Sequence, residues 1–126
     1  MKILVVDDEL IIRKLLYDIL TNEGHEVFVA KGGGEAIDQS RKNAFDLILS
    51  DVHMPDITGL EVVTTVREFD QRVVFVMMDS FPDVLSQLAQ ERGAITCIHK
   101  PFALEELRSI VREVEEKIYG PRVAVG

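Results

Sequence analysis

The chain has 126 residues, 47% of them hydrophobic and 29% charged, which is enough for one globular domain with a core. Its net charge of -8 would repel a phosphate backbone, which argues against direct nucleic-acid binding by this domain. No apolar run approaches the roughly 20 residues of a membrane span, and the single cysteine, Cys97, excludes an intramolecular disulfide. Because acidic residues follow the first apolar run before any secretory signal is complete, we expect a cytoplasmic protein.

Short β-branched runs alternate along the chain with segments whose apolar residues have helical spacing. In chain order, they predict a strand at 3–6, a helix at about 9–22, a strand at 26–30, a helix at about 34–43, a strand at 47–49, a helix at 59–69, a strand at 73–77, a helix at 82–93, a strand at 95–98 and a helix at about 103–118. The alternation indicates a doubly wound α/β domain, with a parallel sheet covered by helices on both faces.

The alternating elements assign residues 1–119 to one domain. Residues 120–126 begin with glycine and proline, and we expect them to form a C-terminal tail or the start of a linker. The last helix has apolar residues in a 3-4 spacing, which we interpret as packing on the sheet. Its charged outer face either pairs across a homodimer or is solvated.

Charged residues follow three of the predicted strands. Asp7 and Asp8 follow the first strand, Asp51 follows the third, and Lys100 follows the fifth. In this fold class the ligand crevice lies beyond the carboxyl ends of the strands, so these groups converge if the three strands are near neighbours. Three crowded carboxylates need protons or a cation. Mg²⁺ commonly binds one or two carboxylates with waters and a phosphate oxygen, and a lysine suits phosphate oxygens.

Each of these residues also has an ordinary structural interpretation. An aspartate at a strand end is commonly a turn or helix-capping residue, and acidic residues before a helix favour its start. Lys100 before a proline is compatible with a solvated loop. Only their occurrence at the ends of three strands favours a binding site.

The motifs around these residues resemble those of response-regulator receiver domains. They are Asp7-Asp8, then Asp51-Val52-His53-Met54-Pro55 with Gly59 four residues later, then Lys100-Pro101-Phe102. The resemblance extends over about residues 2–118. It implies a flavodoxin-like, five-stranded parallel sheet in the order 2-1-3-4-5, similar to chemotaxis receivers, and a role in a two-component signal transduction phosphorelay.

The resemblance also implies roles for the site residues. Asp51 would accept a phosphoryl group from a sensor histidine kinase or phosphotransfer protein and would help to bind Mg²⁺. Asp8 would bind the ion directly and Asp7 mainly through water, and the backbone carbonyl of His53 would be a further ligand. The His53 ring would either orient a hydrolytic water or occupy the mouth of the site, and we favour the second interpretation.

Lys100 would contact the phosphoryl group, and the bond between Lys100 and Pro101 would be a cis peptide. The domain would be no enzyme in the usual sense. It would be a signalling module that takes part in its own phosphorylation and dephosphorylation and alters a protein-interaction face. Its other partner would be a downstream protein target or a fused output domain, and the sequence leaves open whether the chain is a stand-alone protein or part of a longer one.

Two switch positions depart from the family pattern. Counting without gaps, the usual Thr or Ser at the end of strand four falls on Met78, which cannot donate a hydrogen bond. Either a shifted register lets Ser80 serve, or the hydroxyl is absent. The usual Tyr or Phe falls on Cys97, which we interpret as a small buried hydrophobe. Asp79 either points inward, where it would repel a phosphoryl group, or points outward and begins a loop, which is our preferred interpretation.

Three functions therefore compete. The first is a phosphoacceptor receiver, and the second is a degenerate receiver acting as a phosphorylation-independent adaptor, against which Asp8, Asp51 and Lys100 argue. The third is a related enzyme. A flavodoxin needs phosphate-binding chemistry after strand one, where this chain has acid, and a dehalogenase-type phosphohydrolase needs a D-x-D nucleophile there, which Asp7-Asp8-Glu9 lacks.

Overall fold

A computed structural model of the protein describes residues 1–79, 91 and 94–121. Within these residues the elements are, in chain order, β1 (Lys2–Val6), α1 (Leu10–Asn22), β2 (Glu26–Ala30), α2 (Gly33–Lys42), β3 (Leu47–Asp51), α3 (Gly59–Phe69), β4 (Val74–Asp79), β5 (Ala94–His99) and α4 (Leu104–Tyr119). Ser80 and most of the helix predicted at 82–93 lie outside the described residues. None of the helices in the described part of the chain combines the length and apolar character needed to cross a membrane.

The strands form one five-stranded parallel sheet in the order β2-β1-β3-β4-β5. This confirms both the doubly wound α/β fold and the strand order that the resemblance implied. β3 is buried along its whole length, as expected of a central strand with helices on both faces. The carboxyl ends of β1 and β3 are therefore neighbours at one edge of the sheet.

Each face of the sheet packs against its own hydrophobic core. Alternate residues of β4 contribute to both: Phe75 and Met77 pack with residues of α2 and α3, whereas Val76 and Met78 pack with residues of α1 and α4. This division follows from the two-residue period of side chains along a strand. Met78 therefore packs in the core on the face of the sheet that α1 and α4 cover.

The last helix packs on the sheet, as the sequence predicted. Leu107, Val111 and Val114 of α4 are buried in the core that α4 shares with α1, whereas Leu104 and Ile118 are 40% and 38% exposed. A partly exposed apolar residue at each end of a helix is ordinary for a surface helix.

The start of α2 is joined to the loop that follows β3. Asp56 Oδ1 accepts a hydrogen bond from the Gly33 amide at 3.2 Å, and Asp56 Oδ2 accepts one from the Gly34 amide at 2.9 Å. These bonds, that from Gly34 first, lower the pKa of Asp56, because donors at a helix start favour the charged carboxylate. The contact holds the start of α2 against the loop that follows Asp51.

Glycine is required at the first of these two positions because the chain is crowded there. A Cβ at Gly33 would lie 2.3 Å from Ile57 Cγ1 and 2.9 Å from Val62 Cγ2, whereas one at Gly34 would meet only Asp56 Oδ2 at 3.5 Å. We predict that Gly33→Ala lowers the free energy of unfolding by about 1–3 kcal/mol, as overpacking does.

Urea denaturation measured by circular dichroism checks this prediction, with Gly34→Ala as the matched control. The control is expected to be neutral or slightly stabilising, since alanine favours a helix more than glycine does. Equal midpoints for the two variants would show that the contact with Ile57 does not constrain α2.

Candidate functional site

Three carboxylates meet at the carboxyl edge of the sheet. Oxygens of Asp7, Asp8 and Asp51 all lie within 4.8 Å of one another. Asp7 and Asp51 are buried and Asp8 is exposed. The residues follow or end β1 and β3, which pair in parallel, so the convergence predicted from the strand ends is confirmed.

Lys100 supplies a positive charge to the same place. Its Nζ lies 2.6 Å from Asp7 Oδ2 and 3.4 Å from Asp51 Oδ2, and the peptide bond between Lys100 and Pro101 is cis, as expected. The second oxygen of Asp7 accepts a hydrogen bond from the Glu9 amide at 2.9 Å. Lys100 thus joins β5 to the carboxylates of β1 and β3, with its shorter contact to Asp7.

Asp51 lies in an environment that opposes its ionisation. It is 6% exposed, and its pKa is raised from 3.8 to about 6, chiefly because burial removes water from the carboxylate. The charge of Lys100 acts in the opposite direction, and the charge of Asp7 adds to the increase. A divalent cation at this edge would remove the conflict between the carboxylates.

The chain around Asp51 leaves little room for larger residues. A Cβ at Gly59 would lie 2.5 Å from the backbone oxygen of Asp51 and 2.6 Å from Met77 Cε, so only glycine allows α3 to begin this close to β3. His53 is exposed, and its amide hydrogen-bonds Asp51 Oδ1 at 3.4 Å. Its position is compatible with the mouth of the site.

A further carboxylate lies at the end of β4. We expected Asp79 to point outward and to begin a loop, but it is the last residue of β4 and is 0% exposed. The strand therefore ends one residue later than the gapless count, which assigned its end to Met78. The error arises because spacing along the chain does not reveal where a strand ends or which face its last side chain joins.

Cys97 and His99 both bond to this carboxylate. Cys97 Sγ donates to Asp79 Oδ2 at 2.9 Å, and His99 Nδ1 lies 2.6 Å from Asp79 Oδ1. The interpretation of Cys97 as simply a small hydrophobe was therefore incomplete, since the half-buried thiol also makes a polar contact. Sequence reasoning missed His99. The available signal was a histidine at the end of a strand, one residue before the lysine.

The ring of His99 is favoured in its charged form. The hydrogen bond to Asp79 raises the pKa of His99, and the charges of Asp79 and Glu106 add to the increase. A carboxylate only accepts hydrogen bonds, so the Nδ1 that faces an ionised Asp79 carries the proton. The pair places an imidazole that is more readily protonated than a free one beside the buried carboxylate.

Comparison with known proteins agrees with this arrangement. A family model for the response regulator receiver domain matches residues 3–112. Sporulation initiation phosphotransferase F of Bacillus subtilis (strain 168) is 34% identical over 113 residues, which cover 89% of this chain and 91% of that protein. Other matching relatives are longer: the chain spans 49% of one transcriptional regulatory protein and 13% of one sensor histidine kinase.

Two solved structures have both the fold and substantial sequence identity. The chemotaxis protein CheY4 of Vibrio cholerae has a TM-score of 0.83 and 35% identity, and the match covers 90% of this chain and 97% of that one. The response regulator protein TrrA of Thermotoga maritima, solved in complex with Mg(2+)-BeF, has a TM-score of 0.78 and 32% identity, with 90% and 97% covered.

We predict that Asp51→Asn stabilises the folded protein at pH 7.5 when divalent cations are removed. The folded-state pKa of Asp51 lies above its unfolded value of 3.8, so stability falls as the pH rises from about 4 through 6, where the unfolded chain releases the proton first. Above that range the ionised side chain opposes folding. Allowing for solvent screening, we expect a gain of about 1–2 kcal/mol.

Chemical denaturation in a chelating buffer at pH 7.5 and well below the unfolded pKa of 3.8 measures this effect. The gain should vanish at the lower pH, where the carboxyl group is protonated in both states. Asp18→Asn, which changes an exposed carboxylate on α1, is the control and should show no comparable gain. A less stable Asp51→Asn protein at pH 7.5 would contradict the electrostatic account.

Proposed function

The chain belongs to the response regulator receiver domain family, and on that premise we propose that Asp51 is a phosphoacceptor. It takes a phosphoryl group from a phosphohistidine of a sensor histidine kinase or a phosphotransfer protein. The observation that supports this proposal best is the convergence of Asp51 with two further carboxylates and the Lys100 ammonium at the ends of different strands.

In the proposed transfer, an Asp51 carboxylate oxygen forms a bond to phosphorus while the bond from phosphorus to the donor imidazole breaks. Attack requires the ionised carboxylate, and a pKa of about 6 leaves most of Asp51 ionised at neutral pH. The transition state distributes negative charge over the phosphoryl oxygens, so catalysis depends on positioning and on nearby cations. Lys100 is the protein's own cation for that purpose, and the domain takes part in its own phosphorylation and dephosphorylation.

The carboxylate cluster also fits a magnesium ion. Its donors are all oxygens, which a hard divalent cation prefers, and they lie within 4.8 Å of one another. Following the family, Asp8 and Asp51 would bind the ion directly, Asp7 would bind mainly through water, and the His53 carbonyl would complete the protein ligands. When bound, Mg²⁺ would offset the crowded charge and contact phosphoryl oxygens.

A groove beside Lys100 and exposed apolar residues at the start of α1 support docking of the phosphodonor protein. Leu10 and Ile11 at the start of α1 are 67% and 79% exposed, and exposed apolar residues are available for contact with a partner protein. A neighbouring groove of about 470 Å³ is lined by Glu9, Ile12, Leu15, Lys100, Pro101, Phe102 and Leu104. A partner bound there would hold its phosphohistidine near Asp51.

One observation favours the second candidate, a phosphorylation-independent adaptor. β4 ends in Asp79, and the β5 position where the family usually has an aromatic residue is Cys97. Neither side chain supplies the hydroxyl or the ring of the usual switch. The acceptor, the lysine and the metal-binding carboxylates nevertheless favour the receiver function.

We predict that acetyl phosphate with Mg²⁺ adds one phosphoryl group to the wild-type protein and none to Asp51→Asn. Intact-mass spectrometry measures the adduct, and Asp18→Asn, altered at an exposed carboxylate of α1, should behave as the wild type does. Magnesium with beryllofluoride should also shift amide NMR signals in β4 and β5. Absence of both the adduct and the shifts would favour the adaptor.

We also predict that Asp8→Asn weakens Mg²⁺ binding by about tenfold or more, because it replaces a carboxylate ligand by a neutral amide. Titration calorimetry of the metal alone measures the affinity. Asp18→Asn is again the control, since it makes the same chemical change at an exposed carboxylate of α1 and leaves the cluster unaltered. Equal affinities for Asp8→Asn and the control would remove Asp8 from the metal site.

A further inference from the structure

Lys100 must cross the end of β4 to reach its partners. β4 lies between β3 and β5 in the sheet, and Lys100 directly follows β5, whereas its Nζ contacts Asp7 and Asp51 at the ends of β1 and β3. The residue at the end of β4 is therefore next to the path of the lysine. That residue is Asp79, which is 0% exposed.

Within the described residues, Asp79 bonds to the end of β5 through both its carboxylate and its backbone oxygen. Its carboxylate accepts from Cys97 Sγ at 2.9 Å and pairs with His99 Nδ1 at 2.6 Å. Its backbone oxygen accepts from the Lys100 amide at 2.5 Å. One residue of β4 thus restrains both the side chains that end β5 and the backbone from which the lysine side chain begins.

The buried carboxylate of Asp79 has hydrogen-bonding partners beside it. A buried carboxylate is stable only with hydrogen-bond donors or a paired cation, and His99 supplies both when its ring is protonated. The His99 side chain is 61% exposed, so it exchanges protons freely with water. Among the described residues, the charged groups that act on this ring are Asp79 from β4 and Glu106 from α4, and Lys100 is its neighbour in the chain.

We propose that Asp79 is a positioning residue for Lys100: through Cys97, His99 and the Lys100 amide, it holds the lysine where its ammonium contacts Asp7 and Asp51. This inference rests on the proposed function, because phosphoryl transfer is the step that needs the lysine in place. A lysine side chain has several rotatable bonds, so its reach depends on where its backbone is held. Small misplacements of such a group lower rates substantially.

The first test compares phosphorylation rates with acetyl phosphate and Mg²⁺. Asp79→Ala removes the side-chain bonds, and we expect the phosphorylation rate to fall by about tenfold. Asp79→Asn keeps the size and one acceptor oxygen, so a smaller loss is expected. The matched control is Asp70→Ala, which removes a carboxylate that accepts bonds from the Arg72 and Val73 amides at 2.9 and 3.1 Å just before β4. It should lose stability without losing rate.

A double-mutant cycle separates positioning from general destabilisation. If Asp79 acts through Lys100, Asp79→Ala slows the wild-type protein but has little further effect in the Lys100→Ala background. Equal fold losses in the two backgrounds would overturn the proposal, because the effect of Asp79 would then not pass through the lysine.

A measurement without any phosphodonor keeps this inference distinct from the proposed function. The ammonium protons of Lys100 are paired with Asp7, so NMR should detect them as slowly exchanging, unlike those of the exposed Lys14. In Asp79→Ala this signal should be lost, and in Asp70→Ala it should remain. An unchanged Lys100 signal in Asp79→Ala would overturn the inference whatever the phosphorylation result.

The two proposals therefore fail separately. Loss of the Lys100 signal in Asp79→Ala, together with no phosphorylation of the wild type, would refute the proposed function and retain the positioning role. If Asp79→Ala does not fold, Cys97→Ala takes its place in both experiments, and Cys97→Ser, which keeps a donor to Asp79, should restore the wild-type result. Equal behaviour of the alanine and serine variants would then overturn the proposal.

Discussion

Repulsion between carboxylates at the carboxyl edge of the sheet is the constraint on which the rest of the site depends. Parallel pairing of β1 with β3 brings Asp7, Asp8 and Asp51 within 4.8 Å of one another. Burial adds to the conflict, since it raises the pKa of Asp51 to about 6. The crowded carboxylates favour a cation at this edge, and nearby cations are also what a phosphoryl transfer requires.

The strand order determines the direction from which the protein's own cation reaches the carboxylates. β3 lies between β1 and β4, and β5 lies at the edge of the sheet, so Lys100 reaches the carboxylates from two strands away from β3. Close contacts keep the surrounding chain in place: Gly59 approaches the backbone of Asp51, and Asp56 joins the same loop to α2. A rigid scaffold of this kind lets a few side chains act at defined distances.

Asp79 places a carboxylate at the end of β4, where the family pattern has a hydroxyl. The buried carboxylate binds Cys97 and the exposed ring of His99, so a residue open to solvent is connected to the strand end that carries Lys100. A hydroxyl is neutral, whereas a buried carboxylate needs hydrogen-bond donors or a paired cation. Asp79 and His99 therefore form a hydrogen-bonded pair next to the site, and a change in either residue alters the surroundings of the other.

The sequence by itself determined the order of strands and helices and the residues of the carboxylate cluster, because apolar periodicity and the position of charges at strand ends are local properties of the chain. The strand order and the cis bond before Pro101 came from the resemblance to a family. Only the tertiary structure decided that β4 ends at Asp79, that this side chain is buried, and that His99 pairs with it. Those facts depend on register between neighbouring strands, where a shift of one residue exchanges the two faces of the sheet.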